Sequence, residues 1–347
     1  MPTAYATHTS FAEHDIKTYQ HPEHAGRIQA VWQTLDQLHL ADEMLSLSPA
    51  PLDRSVIELA HAPQLLDMLE RIAHQEKTVL IDHDTYATPA SYEIARRAAS
   101  AAVQVTEAVL KGEANNGLVA VRPPGHHATI NKAMGFCLLN NIAIAARIAQ
   151  TKYQLKRILI VDYDVHHGNG TQDIFYDDPG VLFISTHQAP FYPGSGHISQ
   201  TGKAEGHGYT LNIPMPAGQG DINYAAVFEQ IVIPAAQRYQ PQLILVSAGF
   251  DAHWHDPLAN MKLSLAGYNQ LTRQLIELAD GLCDGKIVFV MEGGYDLQAL
   301  SHGVANIAYA LLERDDITDP YGPAIDSSEP DIAELISQIR RVHQLEG

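Results

Sequence analysis

The chain has 347 residues, enough for one large α/β domain or two average ones, with a sizeable core. Its 40 acidic residues outnumber 22 basic ones, and the resulting charge of −18 argues against nucleic acid as a direct partner, because phosphate contacts need clustered lysine and arginine. The same charge is compatible with a cationic substrate, such as a lysine-rich peptide or a polyamine, or simply with a soluble surface.

Two cysteines, Cys137 and Cys283, are too few for a disulfide framework and fit a reducing compartment. The first residues lack the basic and apolar regions of a signal peptide, and no apolar run approaches the roughly 20 residues that span a bilayer. We therefore expect a cytoplasmic protein that works away from membranes. The sequence leaves the oligomeric state open, and a homo-oligomer is one of the alternatives.

Short apolar runs alternate with segments rich in alanine, leucine and isoleucine. The predicted strands are residues 118–121, 158–161, 181–184, 243–246 and 287–290. The predicted helices are residues 91–111, 139–152, 224–239, 265–282 and 297–312, and a short helix begins near 171–176. This alternation predicts a single-domain, three-layer α/β/α fold around a mainly parallel sheet.

The C-terminal part of the chain differs in composition from the rest. Residues 1–315 contain no linker and are interpreted as one domain, whereas residues 315–330 are acidic and proline-rich and are predicted to form a surface loop. After this loop, five apolar residues recur at helical spacing: Ile332, Leu335, Ile336, Ile339 and Val342. We therefore expect residues 316–347 to form an acidic loop and a final helix that packs on the same domain.

Each of the five predicted strands is followed by a polar segment, and most of these segments contain glycine. The segments begin at Arg122, Asp162, Ser185, Ser247 and Met291. In open parallel sheets, ligands bind beyond the carboxyl ends of the strands. The sequence therefore predicts one shared crevice that all five segments line.

The strand at 158–161 leads into Asp162, Asp164 and His166, spaced two residues apart. In extended chain these side chains project from one face, and three metal-binding side chains in register are more than a solvated turn requires. Asp251 follows the strand at 243–246; judged locally, a helix cap or a loop turn is the alternative for it. Together, Asp164, His166 and Asp251 make a three-ligand set with an open coordination position, as in catalytic zinc sites.

The adjacent histidines His126 and His127 follow the strand at 118–121, where a glycine-turned loop allows both rings to line one pocket. A metal-activated water needs a general base with a pKa near neutrality, and histidine suits this role. One structural and one exposed histidine is the alternative. Tyr295 follows two glycines at another strand end, where its hydroxyl would stabilise an oxyanion, although such a tyrosine taken alone is more often structural.

Together these segments resemble the signature of the histone deacetylase family, closest to its class II branch and to bacterial deacetylase-like amidohydrolases. The matching segments are His21-Pro-Glu-His-Ala-Gly-Arg27, Arg122-Pro-Pro-Gly-His-His-Ala, Gly135-Phe-Cys, Asp162-x-Asp-x-His-His-Gly-Asn-Gly-Thr-Gln, Ser247-Ala-Gly-Phe-Asp, Asp256-Pro-Leu and Glu292-Gly-Gly-Tyr. The resemblance covers residues 8–315. It implies the arginase/deacetylase fold, with an eight-stranded, mainly parallel sheet, and a deacetylase catalytic domain over residues 1–315.

The resemblance also implies roles for the catalytic residues. It places zinc on the three-ligand set derived above and leaves iron(II) open as the cellular metal. His127 would be the general base, with His126 beside it as electrostatic support, and Tyr295 would polarise the amide carbonyl. Asn169 stands where class I enzymes carry an aspartate, so a contact with His127 would favour a neutral base near pH 7.

Substrate-binding positions follow from the same resemblance. Gly135 would accept a hydrogen bond from the substrate amide, and Phe136 and Tyr192 would wall a tunnel for the acyl-lysine chain. Tyr192 replaces the phenylalanine usual in the family, which adds a hydroxyl to the wall. Leu258 occupies the position of a glutamate in the polyamine-preferring class II enzyme, so we favour acetyl-lysine substrates, with an acetylpolyamine amidohydrolase as the alternative.

Family members commonly bind potassium ions, which the matching positions place in two groups. The first ion falls to Asp162, Asp164, His166, Ser185 and Thr186. A second is predicted near Phe175, Asp178, Val181 and Tyr209. Backbone carbonyls supply most ligands of the second ion, and a sequence does not display them.

The leading hypothesis is a zinc-dependent amidohydrolase that removes acetyl or other acyl groups from N-acetyl-lysine side chains or similar amides, so that acetylated lysine or a small acetylated amine is its partner. A dinuclear manganese ureohydrolase on the same fold would need extra bridging carboxylates where this chain has histidines. A catalytically silent binder of acylated lysine is the third hypothesis, and the presence of Tyr295 argues against it.

Overall fold

A parallel sheet of eight strands forms the centre of the molecule in a computed structural model that describes residues 2–345. The strands, including a separate two-stranded hairpin, are β1 (Thr3–Ala6), β2 (Leu45–Leu47), β3 (Val79–Leu80), β4 (Tyr86–Ala87), β5 (Asn116–Val119), β6 (Ile158–Asp162), β7 (Val181–Gln188), β8 (Thr210–Met215), β9 (Leu243–Ala248) and β10 (Ile287–Met291). The order in the sheet is β2-β1-β5-β10-β9-β6-β7-β8, and every neighbouring pair is parallel. The predicted single-domain α/β fold with an eight-stranded sheet is confirmed.

Helices surround this sheet. They are α1 (Gly26–Gln37), α2 (Leu40–Glu43), α3 (Arg54–Ile57), α4 (Pro63–Ala73), α5 (Ser91–Leu110), α6 (Asn141–Thr151), α7 (Asn169–Phe175), α8 (Asp221–Val227), α9 (Ile233–Tyr239), α10 (Leu265–Cys283), α11 (Leu297–Leu311) and α12 (Ala333–Val342). Helices α1, α11, α10 and α8 pack against one another in sequence, and α4, α5, α6 and α7 form a second such set. Because helices bury both of its faces, the central strands β6, β9 and β10 are buried at every residue and are apolar almost throughout.

Side-chain caps determine where several helices begin. Asn140 accepts a hydrogen bond from the Ala143 amide, so α6 starts at Asn141 rather than at the predicted residue 139. Ser264 caps α10 in the same way, by accepting from the Gly267 amide. These polar residues accept the amide protons that the first turn of a helix leaves without partners.

The structure also corrects two further predicted elements. The strand predicted at 118–121 is Asn116–Val119, because Asn116 and Gly117 pair with Thr3 and Ala4 of β1 despite their weak strand propensity. The helix predicted at 224–239 begins at Asp221 and passes through a π-helical turn, Phe228–Val232, between α8 and α9.

The C-terminal segment contains a helix where one was predicted. Helix α12 buries Ile336 and Ile339 and packs against the π-helical turn. The last two residues of the predicted segment 316–347 lie outside the described residues. Among residues 2–345, no helix combines the length and the apolar character needed to cross a bilayer.

The sheet order brings the predicted functional segments together. Asp162, at the end of β6, is in register with Ser185 of β7 and Ser247 of β9. Strands β10 and β5 follow β9 in the sheet, so the five strands that precede the polar segments are immediate neighbours. Since all five run in the same direction, their carboxyl ends open onto one edge.

Candidate active site

Asp164, His166 and Asp251 meet at this edge of the sheet. The Nδ1 atom of His166 lies 3.1 Å from Oδ1 of Asp164 and 3.1 Å from Oδ2 of Asp251. All three residues are buried, and one ligand atom from each lies within 4.8 Å of the others. Within residues 2–345 this is the only group of three or more histidine, cysteine or acidic side chains with such spacing.

The electrostatics of this group suit a cation. Burial disfavours a charged His166, but its hydrogen bonds to Asp164 and Asp251 and the negative charges of these carboxylates outweigh burial and raise its pKa to about 10. The two carboxylates therefore favour a positive charge at the point they share, which a divalent ion supplies as well as a proton does. Two carboxylates and one imidazole are ligands that zinc and iron(II) both accept, so these residues fit the predicted metal.

Backbone amides orient the two carboxylates. The Gly293 amide donates to Oδ2 of Asp164 at 2.8 Å, and the Val165 amide donates to Oδ1 of Asp251 at 2.9 Å. A Cβ atom on Gly293 would overlap Oδ2 of both aspartates, and one on Gly249 would overlap the carboxylate of Asp164. Glycine at the ends of β9 and β10 is therefore what allows the backbone to approach the carboxylates so closely.

The adjacent histidines lie next to the same group with their rings 4.1 Å apart. His126 Nδ1 is 2.9 Å from Oδ2 of Asp162. Burial opposes a charge on His126, but Asp162 and Asp164 outweigh burial and hold its pKa well above the usual range. Burial and the positive charges of His126 and His166 hold the pKa of His127 well below its usual range.

Asn169 sets the orientation of His127. The Nδ1 atom of His127 lies 2.6 Å from Oδ1 of Asn169, whose Nδ2 faces the carbonyl oxygen of residue 127 at 3.5 Å. Because an amide oxygen only accepts, Nδ1 of His127 carries the proton and its Nε2 retains a lone pair. The structure thus makes the predicted contact and leaves His127 neutral, as a general base must be.

Tyr295 lies on the loop after β10. The Arg27 guanidinium lies 5.0 Å from its ring centroid, and the Phe136 ring lies perpendicular to it at 5.8 Å. Burial raises the pKa of Tyr295 well above its usual range, Arg27 opposes this, and Asp251 and Asp164 add to it. The phenol therefore stays protonated and is a hydrogen-bond donor close to the carboxylates.

Two further carboxylates hold the site loops by their backbone. Glu292 accepts from the Gly125 amide at 2.6 Å and from the His126 amide at 3.2 Å, and burial raises its pKa to about 7. Asp256 accepts from the Tyr295 amide at 2.7 Å, and burial followed by the charge of Asp251 raises its pKa to about 7. Each carboxylate therefore ties a loop of the candidate site to a neighbouring segment.

A buried ion-pair network connects the N-terminal motif to the same loops. Arg27 donates to the carbonyl oxygens of Glu292 at 2.5 Å and Gly294 at 2.7 Å, and to Glu23 at 3.1 Å. Arg122 donates to both oxygens of Glu23, with Nη2 to Oε2 at 2.7 Å. Burial opposes the charge of Glu23, but Arg122 and Arg27 lower its pKa to about 2. The His21–Arg27 motif thus supports the loops without contributing a ligand.

The predicted substrate-binding residues lie beside His127, Tyr295 and Asp256. Gly135 has a φ of +56°, and a Cβ atom there would overlap the His127 ring. Phe136, also at positive φ, donates its amide to the Thr85 hydroxyl at 3.0 Å. The Tyr192 ring lies 5.2 Å from His127 and perpendicular to it, and Tyr192 is 36% exposed. Leu258 is 37% exposed, and its amide donates to Asp256.

The residues predicted to bind potassium fall into two places. Asp162 of β6 is paired with Ser185 of β7, next to the ligand candidates Asp164 and His166, and the Thr186 hydroxyl donates to the Asp162 carbonyl at 3.5 Å. Phe175, Asp178, Val181 and Tyr209 lie at the opposite edge of the sheet, where β7 and β8 begin. The carbonyl oxygens of Phe175, Asp178 and Tyr209 each accept a backbone amide there. Both potassium sites stay predictions.

Several residues of the site were present in the sequence motifs without an assigned role. Glu292, Asp256 and Arg27 orient the loops, and Gly249 and Gly293 make room for the carboxylates. Their positions after buried strands or inside the quoted motifs were the available signal. Their partners lie far away in the chain, so their roles follow from the tertiary structure.

Comparison with known proteins places these features in one family. The histone deacetylase domain model matches residues 21–311. Histone deacetylase 14, chloroplastic, of Arabidopsis thaliana is 40% identical over 94% of this chain and 81% of its own length. A probable deacetylase of Archaeoglobus fulgidus is 36% identical over 99% of this chain and 98% of its own length.

A solved structure indicates the same family as the relatives do. The crystal structure of the HDA15 HD domain superposes with a TM-score of 0.89 at 32% identity and covers 99% of this chain and 94% of the other. The relatives are deacetylases, which hydrolyse amide bonds. The chain therefore belongs to the histone deacetylase family and is an amide-hydrolysing deacetylase.

Proposed function

We propose that the protein is a zinc-dependent amidohydrolase that removes acetyl groups from N-acetyl-lysine side chains. One observation carries this proposal: Asp164, His166 and Asp251 face a common point, next to a His127 ring that is held neutral. Zinc, when bound there, supplies Lewis acidity toward a water molecule and the amide carbonyl. Iron(II) accepts the same donor set and is the alternative metal.

His127 is the proposed proton acceptor. Its Nδ1–H donates to Asn169, so Nε2 is free to take a proton from the attacking water. The positive His126 beside it opposes protonation of His127 in the resting enzyme. Once the amide bond breaks, the imidazolium of His127 is acidic enough to donate that proton to the leaving amine.

Tyr295 is the proposed stabiliser of the oxyanion. It remains protonated at neutral pH, so its hydroxyl donates a hydrogen bond where negative charge develops on the carbonyl oxygen. Gly135, next to the His127 ring, would accept the substrate amide N–H. Phe136 and Tyr192 offer aromatic walls to the aliphatic part of an acyl-lysine.

Leu258 and Asp256 favour a lysine side chain over a polyamine as the substrate. The exposed Leu258 offers no charge to a second ammonium group of the substrate. The carboxylate of Asp256 is occupied by the backbone amides of Leu258, Tyr295 and Asp296, at 2.9, 2.7 and 3.3 Å. We retain acetylpolyamine hydrolysis as the second candidate because the negative charge of the whole chain suits a polycation.

The test compares acetate release from an acetyl-lysine peptide and from acetylspermidine, using protein loaded with zinc. We expect a higher kcat/KM for the peptide. Tyr295→Phe should reduce turnover by about 10²–10³, because it removes the one donor aimed at the oxyanion. Circular dichroism of the variant should match the parent, since the phenyl ring keeps its packing.

Specific outcomes would contradict the proposal. A preference for acetylspermidine would favour the polyamine alternative, and two manganese ions per active chain would favour a ureohydrolase. A protein that binds the peptide without releasing acetate would be a silent binder. Full activity of the Tyr295→Phe variant would remove this residue from the mechanism.

A further inference from the structure

A segment outside the matched family domain reaches the loop that carries Tyr295. The family match ends at residue 311, and the chain then returns through residues 318–322, which we call the Tyr321 segment. Asn306 of α11 anchors its start, with Nδ2 to the Thr318 carbonyl at 2.9 Å and Oδ1 accepting the Thr318 amide at 2.8 Å. Asp319 turns the chain by accepting the amides of Tyr321 and Gly322.

Tyr321 then contacts Asp296, the residue directly after Tyr295. The Tyr321 hydroxyl lies 3.0 Å from Oδ2 and 3.1 Å from Oδ1 of Asp296. His255 Nδ1 lies 2.9 Å from the same Oδ2, and its ring stacks on Tyr321 at 4.3 Å and 20°. The Trp254 indole N–H donates to the Gly322 carbonyl at 2.9 Å and fixes the Tyr321 segment against His255.

The segment that contains His255 and Asp256 also binds the backbone of Tyr295 and Asp296. Oδ2 of Asp256 accepts from the amides of Tyr295 at 2.7 Å and Asp296 at 3.3 Å. His255 and Asp256 are adjacent, so one short segment binds the Tyr295 loop both through its backbone and through the Asp296 side chain. In the part of the chain that the structure describes, the Tyr295 hydroxyl makes no hydrogen bond, so its position depends on this backbone support and on ring contacts.

Asp296 also caps α11, by accepting from the amides of Gln298 and Ala299. A purely structural role for Tyr321 would be to stabilise this cap. The cap does not need Tyr321, however, because Oδ1 alone accepts both amides, while Oδ2 receives His255 and the shorter contact from Tyr321. Three of the four donors to Asp296 would remain in a Tyr321→Phe variant, so the helix start should persist.

We infer that Tyr321 and His255 are positioning residues for Tyr295, which they hold in place through Asp296. The inference rests on the proposed function for its kinetic consequence, because Tyr295 is the proposed oxyanion donor. A segment outside the matched residues 21–311 would thus affect turnover, through Asp296 and Tyr295. Small displacements of a catalytic group lower the rate strongly while leaving substrate binding largely intact.

The kinetic test uses Tyr321→Phe on zinc-loaded protein with the acetyl-lysine peptide. We expect kcat to fall about three- to tenfold, with KM within about twofold. In a Tyr295→Phe background the same substitution should have no further effect, because the group it positions is gone. Tyr239→Phe is the control, since it removes a tyrosine hydroxyl that donates to Pro179 at the opposite edge of the sheet.

A second measurement does not depend on activity. Hydrogen exchange of the amides in residues 292–299 should accelerate at least about threefold in Tyr321→Phe and in His255→Ala, and exchange in β9 should be unchanged. His255→Asn should restore slow exchange, because its Nδ2 can replace the Nδ1 donor. These readouts persist even if the parent protein releases no acetate, so failure of the proposed function is distinguishable from failure of this inference.

Two results would overturn the inference. One is an equal loss of kcat in the parent and Tyr295→Phe backgrounds, which would mean that Tyr321 acts elsewhere. The other is unchanged exchange at residues 292–299 in both Tyr321→Phe and His255→Ala, since the loop would then keep its position without them.

Discussion

His126 and His127 are consecutive residues, yet their environments make the first ring positively charged and leave the second neutral. Two carboxylates hold a proton on His126, whereas burial and neighbouring positive charges keep His127 neutral. Such divergence between neighbouring titratable groups is how one site provides an acid and a base at the same pH. Asn169 completes the arrangement because its neutral amide orients His127 without stabilising the imidazolium as a carboxylate would.

Replacing Asn169 by aspartate should therefore change the pH dependence of the reaction. A carboxylate at this contact stabilises protonated His127 and so raises its pKa. The base must be neutral to act, so the acidic limb of the kcat/KM profile should move to higher pH. A pH–rate profile with the acetyl-lysine peptide measures this shift.

Asn131→Asp is the matched control for that profile, because it adds the same charge at an exposed position. Its acidic limb should coincide with that of the parent. A limb that moves to lower pH in Asn169→Asp, or does not move, would contradict the assignment of His127 as the base.

Among the elements of the fold, the ends of β9 and β10 allow the carboxylates of Asp164 and Asp251 to come together. Gly249 and Gly293 follow these neighbouring strands and leave no side chain between the backbone and the carboxylates of Asp164 and Asp251. The Gly293 amide also orients Asp164. The strand ends are therefore part of the geometry of the proposed metal site, although neither glycine is a candidate ligand.

Gly293→Ala should weaken zinc binding at least about tenfold, because the added methyl group displaces both carboxylates from their common point. Competition with a chelator of known affinity measures this change. Gly281→Ala is the control. A Cβ atom at Gly281 meets nothing within 4 Å, and alanine has a higher helix propensity than glycine at this position in α10. Equal zinc affinities for the parent and Gly293→Ala would contradict the steric argument.

His61 links two elements behind the site. Its Nδ1–H donates to the Thr129 carbonyl at 2.9 Å, and its Nε2 accepts from the amide of Asn140, the capping residue of α6, at 2.9 Å. Burial lowers the pKa of His61 to about 4. Hydrogen bonds with the backbone of Thr129 and Ile130 act in the other direction but do not offset burial. The folded protein therefore requires His61 to stay neutral.

This requirement gives the free energy of unfolding a pH dependence. The unfolded chain binds a proton at His61 below about pH 6.5 and the folded chain only near pH 4, so stability is fully present above pH 6.5 and falls on acidification. Between pH 7 and pH 5 this one group should cost about 2 kcal/mol. Urea unfolding at both pH values should show a smaller difference for His61→Gln, and an unchanged difference would refute the contribution.

At the scale of the whole molecule, charge is distributed unevenly between interior and surface. Buried carboxylates such as Glu23 and Asp164 are paired or hydrogen-bonded, so they direct little field outward. The remaining excess of acidic over basic residues lies mostly in contact with solvent, within a chain of net charge −18. Such a surface attracts cationic substrates and does so less at high salt.

The protein should therefore have a lower KM for an acetyl-lysine peptide flanked by lysines than for one flanked by glutamates. The ratio of the two KM values should approach one as ionic strength rises from about 0.05 M to about 0.5 M, because salt screens exposed charges. A ratio that is independent of salt would show that the flanking residues are recognised by local contacts instead.

The class of fold and the candidate metal ligands Asp164, His166 and Asp251 could be predicted from local sequence patterns. Continuous apolar runs such as Ile158–Val161 are recognisable because both faces of the sheet are covered, and alternate residues after such a strand necessarily share a face. Edge strands such as Leu45–Leu47 were not predicted, because they are short and partly exposed and their pattern is weak.

The way in which the site is held together depends on the tertiary structure. The contact of Tyr321 with Asp296 joins residues 25 positions apart, and that of Gly293 with Asp164 joins residues 129 positions apart. The charge state of His127 likewise depends on burial and on neighbours from other segments. These properties arise from distances between remote parts of the chain, and no local pattern of residue types encodes such distances.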